Sequence, residues 1–86
     1  MKKKYSLTES QFLKQVGLNV RLCRQGIELS QEDLALKCDV DRSYMGRIER
    51  GESNITILTL KKIIDTLGID LTEFFDIKDK KVSKRQ

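Results

Sequence analysis

Residues 30–51 read SQEDLALKCDVDRSYMGRIERG, and this stretch decides the fold. Ser30 offers a hydroxyl to the unpaired amides of a first helical turn, so it caps a helix of about Gln31 to Cys38. Glu32 and Asp33 stand at the positive end of that helix's dipole, and Leu34, Ala35 and Cys38 share its apolar side. The residues Cys38, Asp39 and Val40 then make a tight connection. Asp41 caps a further helix, about Arg42 to Arg50, which Gly51 stops. Two short helices thus meet at a short turn.

The flanks extend the pattern. Upstream, Thr8 and Gln11 have capping-box spacing, which starts a helix at about Glu9. Phe12, Val16, Val20, Cys23 and Ile27 recur at steps of three and four and form one apolar stripe along it. Cys23 stands on that stripe and reads as a small core residue. Downstream, Thr56 caps a helix whose apolar face is Leu60, Ile63, Ile64 and Leu67 and whose end is Gly68. Asp70 caps a last short helix, about Leu71 to Phe75, carrying Leu71, Phe74 and Phe75. No strand pattern and no internal repeat is visible, so the fold class is all-α, five helices over residues 8–77. Residues 1–7 form a basic arm, and residues 78–86, apolar only at Val82, a disordered basic tail.

Eighty-six residues suffice for one small core. The chain contains no apolar run of the roughly 20 residues a membrane span needs, nor the apolar centre of an export signal, so the expected location is the cytoplasm. Two cysteines in such a chain read as buried thiols rather than a disulfide. They are too few for a four-ligand zinc site, and no metal or cofactor is expected. There is no histidine, the commonest general base, which leaves little basis for an enzyme. The net charge of +4 lies in the tails: residues 1–4 carry +3 and residues 78–86 carry +4, which leaves the body at −3. A polyanion partner therefore has to be argued from one local face, not from the total.

That face is on the helix opened by Asp41. At about 100° per residue, Tyr44, Met45 and Ile48 cluster on one side, and Arg42, Ser43, Gly46, Arg47 and Arg50 on the other. A basic, short-chained face fits the major groove of DNA, where arginine can give two parallel hydrogen bonds to guanine. Gly46 costs about 1 kcal/mol of helix propensity relative to alanine, and a close approach of backbone to ligand would account for it. Taken alone, such a face is equally well an ordinary solvent surface.

The wider pattern decides between these. Arg21 to Arg24, Leu29 to Ala35, Val40, Ile48 to Gly51, Leu60, and Leu67 to Ile69 keep spacings that resemble the Cro and phage-repressor type of helix-turn-helix domain over about residues 12–75. Asp41 to Tyr44, Ile48 to Gly51 and Asn54 to Thr56 are similar, within that family, to controller proteins of restriction-modification systems. The resemblance implies a five-helix domain of the lambda-repressor-like type that regulates transcription by binding a palindromic operator in double-stranded DNA as a homodimer, with RNA polymerase as a further partner. It places Arg42, Ser43 and Arg47 on bases, Gln31 and Asn54 on phosphates, and Tyr44 on a phosphate or a thymine methyl; Arg50, on the same outer face, is expected on a phosphate as well. Arg24 and Glu49 become a structural ion pair. Analogy and apolar character together put a dimer surface at Ile57, Phe74 and Phe75, with one of the two phenylalanines assigned to the core. The family usually has glycine where this chain has Asp39 and Glu28. Aspartate tolerates the left-handed conformation, and glutamate tolerates it poorly, so the loop at Glu28 is expected to differ in geometry. An antitoxin, a phage-type repressor, and a helix-turn-helix domain used only for protein interaction remain as alternatives.

Overall fold

Each helix begins where a side-chain oxygen meets an amide that has no carbonyl one turn behind it. In the computed structural model, which describes residues 7–77, the helices are α1 (Glu9–Gly26), α2 (Gln31–Cys38), α3 (Arg42–Glu49), α4 (Ile57–Leu67) and α5 (Leu71–Phe75). The expected basic tail, and all of the basic arm except Leu7, lie outside the described residues. Thr8 Oγ1 accepts from the Gln11 amide at 3.0 Å while Gln11 Oε1 accepts from the Thr8 amide at 2.9 Å. Ser30 Oγ accepts from the Asp33 amide at 2.9 Å, and Asp41 Oδ2 from the Ser43 amide at 3.0 Å. Thr56 and Asp70 cap α4 and α5 in the same way.

The loop between α1 and α2 departs from expectation. Glu28 stands in the left-handed region at φ 61°, as does Asp39 at φ 58°. Glutamate therefore keeps the geometry it was expected to alter. The Glu28 amide donates to Gln25 O at 3.0 Å and the Leu29 amide to Arg24 O at 3.1 Å, and these bonds close the last turn of α1. Pairing two helix-end carbonyls offsets the roughly 1–2 kcal/mol that the left-handed conformation costs a residue with a Cβ.

The core is drawn from all five helices: Val16 and Val20, Leu34, Ala35 and Cys38, Met45 and Ile48, Ile63, Ile64 and Leu67, and Phe74. The apolar stripe of α1 is buried only in its middle, since Phe12 and Ile27 are about half exposed. With 18 residues, α1 is roughly 27 Å long, whereas α2 and α3 have 8 residues each, so its ends overhang what they cover. Asn19 is buried and satisfied. Its Nδ2 donates to Phe74 O at 3.1 Å and its Oδ1 accepts from Gln15 Nε2 at 2.9 Å, which ties α5 to α1.

The placement of α3 depends on a bare backbone. A Cβ at Gly17 would overlap Ile48 O and stand 2.5 Å from Glu49 O, so α1 lies directly against the last carbonyls of α3. Just beyond, Gly51 turns at φ 74°, and a Cβ there would be 2.6 Å from Lys14 Cα. These two contacts seat the C-terminal end of α3 on α1, and the first turn of α3 projects from that seat.

Candidate nucleic-acid interface

Arg42, Ser43 and Arg47 are exposed on α3, while Met45 and Ile48 of the same helix are buried. The amphipathic division read from the sequence therefore exists in space, with the basic side outward. Asp41 accepts from the Ser43 and Tyr44 amides, which fixes the first turn and with it the directions of Arg42 and Ser43. Tyr44 is half-buried, and the Arg47 guanidinium carbon lies 5.7 Å from its ring centroid. A cation over an aromatic face gains some 0.5–1 kcal/mol at an exposed site and holds a long side chain in one orientation. Arg50 is exposed and paired with Glu52 at 3.1 Å, with both side chains more than half exposed. Such a pair is worth little in water, so a phosphate could replace Glu52 at small cost.

Gly46 corrects the sequence reading. It is buried, not presented to a ligand: a Cβ there would lie 3.3 Å from Gln31 Oε1 and 3.2 Å from Arg50 Nη1. The missing side chain makes room for two neighbouring side chains. Gln31 opens α2 and is half-buried, with its Nε2 donating to Glu49 Oε1 at 3.0 Å. Glu49 is itself held by Arg24, Nε to Oε2 at 2.7 Å and Nη2 to Oε1 at 3.0 Å, with side-chain exposures of 11% for Arg24 and 2% for Glu49. Arg24 Nη1 also donates to Leu29 O at 3.0 Å. One cluster of polar side chains thus joins α1, the loop after it, the start of α2 and the end of α3.

Asn54 lies apart from this cluster. It is exposed and lines a groove with Leu7, Phe12, Leu13, Ile57, Leu60 and Phe75. Ile57 is 82% exposed and Phe75 46%, whereas Phe74 is 0% exposed, packing edge-on against Phe75 at 5.1 Å. Phe74 is therefore core and not partner surface: its side chain belongs to the buried cluster, and Asn19 Nδ2 donates to its backbone carbonyl. Leu7 and Phe12 join the exposed apolar surface without having been expected there. Periodicity placed Phe12 on the inner stripe of α1, and no sequence signal distinguishes the covered part of a stripe from its overhang.

Among the described residues, no group of three or more histidine, cysteine, aspartate or glutamate side chains could hold a metal ion. Nor is any helix among the described residues long and apolar enough to cross a membrane. Cys23 and Cys38 are free thiols, and burial, with the Glu73 carboxylate adding to it, pushes the Cys23 thiol up.

Comparison with known proteins identifies the family and the fold. Residues 20–74 match the family described as helix-turn-helix. The chain is 42% identical over 55 residues to the control protein C.MunI of Mycoplasma sp, an alignment covering 64% of this chain and 74% of that protein. The crystal structure of the restriction-modification controller protein C.AhdI from Aeromonas hydrophila superposes with a TM-score of 0.71 at 38% identity, covering 74% of this chain and 97% of that one. A chain of the controller protein C.Esp1396I, from the crystal structure of its tetramer in complex with its natural 35-base-pair operator, superposes with a TM-score of 0.69 at 36% identity, covering 74% of this chain and 84% of that one.

Proposed function

This chain belongs to the helix-turn-helix family of DNA-binding transcriptional regulators, and on that premise we propose that it is the controller protein of a restriction-modification system. It acts in the cytoplasm as a homodimer on a palindromic operator, and occupancy of that operator changes access of RNA polymerase to the promoter. The observation that carries the proposal is the outward face of α3, where Arg42, Ser43 and Arg47 stand exposed on a helix anchored from behind by α1. Arg42 and Arg47 read guanine edges in the major groove, and Ser43 is short enough to let the helix approach. Gln31, Tyr44, Arg50 and Asn54 contact phosphates and set the register without reading sequence. The apolar groove containing Ile57 and Phe75 meets its copy across a two-fold axis. That arrangement presents two α3 helices to half-sites about 34 Å apart.

Selection of binding sites from a pool of random duplexes, followed by titration and sedimentation of the complex, tests this reading. The expected product is an inverted repeat bound by two protomers per site. Enrichment of no palindrome, or binding that is equal on selected and mixed-sequence duplexes, overturns it.

A further inference from the structure

We propose that Glu49 is a positioning residue for DNA binding, acting through the side chain of Gln31; this rests on the reading of Gln31 as a phosphate contact. The Glu49 side chain is 2% exposed and cannot itself reach a duplex. Both of its oxygens are engaged by Arg24, at 2.7 Å and 3.0 Å, which fixes the plane and direction of the carboxylate. The oxygen shared with Arg24 Nη2 also accepts from Gln31 Nε2 at 3.0 Å. On its other side the Gln31 carbonyl end rests over the bare Cα of Gly46, where a Cβ would stand 3.3 Å away. The amide is therefore confined from two directions before any DNA arrives.

The chemistry of the arrangement suits a phosphate. An amide nitrogen carries two hydrogens, so donation to Glu49 leaves one for a phosphate oxygen. A donor already bonded to a carboxylate is held in a single orientation, and the ordering cost of binding is met in the folded chain. Arg24 compensates the charge of Glu49, so the carboxylate can orient the amide without repelling the anion. Glu49 thereby links the fold of α1 to the register of α2 on DNA.

The test is a double-mutant cycle in the full-length chain, with Glu49→Ala, which removes the acceptor for Gln31 Nε2, Gln31→Ala and the double variant titrated on the selected operator and on a mixed-sequence duplex, below the melting temperature of every variant. Each single change should weaken binding to both duplexes by a similar factor of roughly three to ten, the ordering cost of one long side chain. The double variant should bind no more weakly than Gln31→Ala alone. Additive losses overturn the proposal, as does a Glu49→Ala variant that melts lower yet binds as the parent does. If Glu49→Ala does not fold, nitrogen-15 relaxation of the Gln31 side-chain amide in the free parent chain decides: it should be as ordered as the backbone, and rapid averaging overturns the proposal. Loss of coupling while Gln31→Ala still weakens binding removes this proposal alone. A parent chain that does not prefer operator to mixed DNA, or a Gln31→Ala change without effect, removes the underlying reading and the proposal with it.

Discussion

Replacing Gly17 by alanine should destabilise this protein, although helix propensity alone argues the opposite. Gly17 lies inside α1, where alanine is favoured over glycine by about 1 kcal/mol. Yet the new methyl would stand 2.5 Å from Glu49 O and 2.8 Å from Glu49 C, where ordinary contact begins at 3.4 Å. The end of α3 must therefore withdraw by roughly 1 Å. No rotamer relieves the overlap, because the obstacle is peptide backbone, and overpacking costs about 1–3 kcal/mol, here toward the upper end. The net loss is about 2 kcal/mol, equivalent to a fall in melting temperature of roughly 8–16 °C for a domain of this size. The same displacement moves Arg42 and Arg47 relative to α2, so operator affinity should fall more than affinity for mixed DNA. Gly26→Ala is the matched control: nothing stands within 4 Å of a Cβ there, and the variant should melt slightly above the parent. Circular-dichroism melts of the two variants measure both effects. A Gly17→Ala variant that melts at or above the parent would show that the close seat of α3 on α1 does not limit stability.

Three further outcomes are expected. Glu49→Ala strands Arg24, whose side chain is 11% exposed, at a cost of about 3 kcal/mol, so the melting temperature should fall by roughly 12–24 °C; an unchanged melt refutes the structural role of the pair. Phe74→Ala empties a fully buried site and should cost about 3–5 kcal/mol, whereas Phe75→Lys should leave the fold intact and yield a monomer in sedimentation equilibrium; a Phe75→Lys variant that stays dimeric removes Phe75 from the interface. Arg42→Ala and Arg47→Ala should each cost about 1–3 kcal/mol on operator DNA and much less on mixed DNA in parallel titrations, and equal losses on both would show that α3 positions but does not read.

The boundaries of α1 to α5 were legible because they are set locally. Thr8, Ser30, Asp41, Thr56 and Asp70 each accept from an amide two or three residues away, a distance within which sequence order and spatial order coincide. The outward direction of Arg42, Ser43 and Arg47 was legible for a related reason: a helix of known period with Met45 and Ile48 on one side leaves only the other side for solvent. Burial is a different kind of property. Phe74 and Phe75 are adjacent and chemically identical, and only the position of α1, fixed in part by an Asn19 bond spanning 55 residues, decides which of them is covered. Phe12 continues the stripe of Val16 and Val20, which are buried, yet it stays half exposed beside Ile57 and Phe75. Gly46 had an exposed place on a helical wheel, and Gln31, brought from α2, covers it. Arg24 and Glu49 are 25 residues apart, and without the family resemblance no local pattern connects them. By itself the sequence determined where the helices start and stop and which face of each is apolar, because those follow from hydrogen bonds and periodicity within a few residues. Which apolar residues become core, and which polar ones meet, was decided only when remote segments came into contact, because desolvation depends on the surface that arrives to cover a side chain and not on the side chain alone.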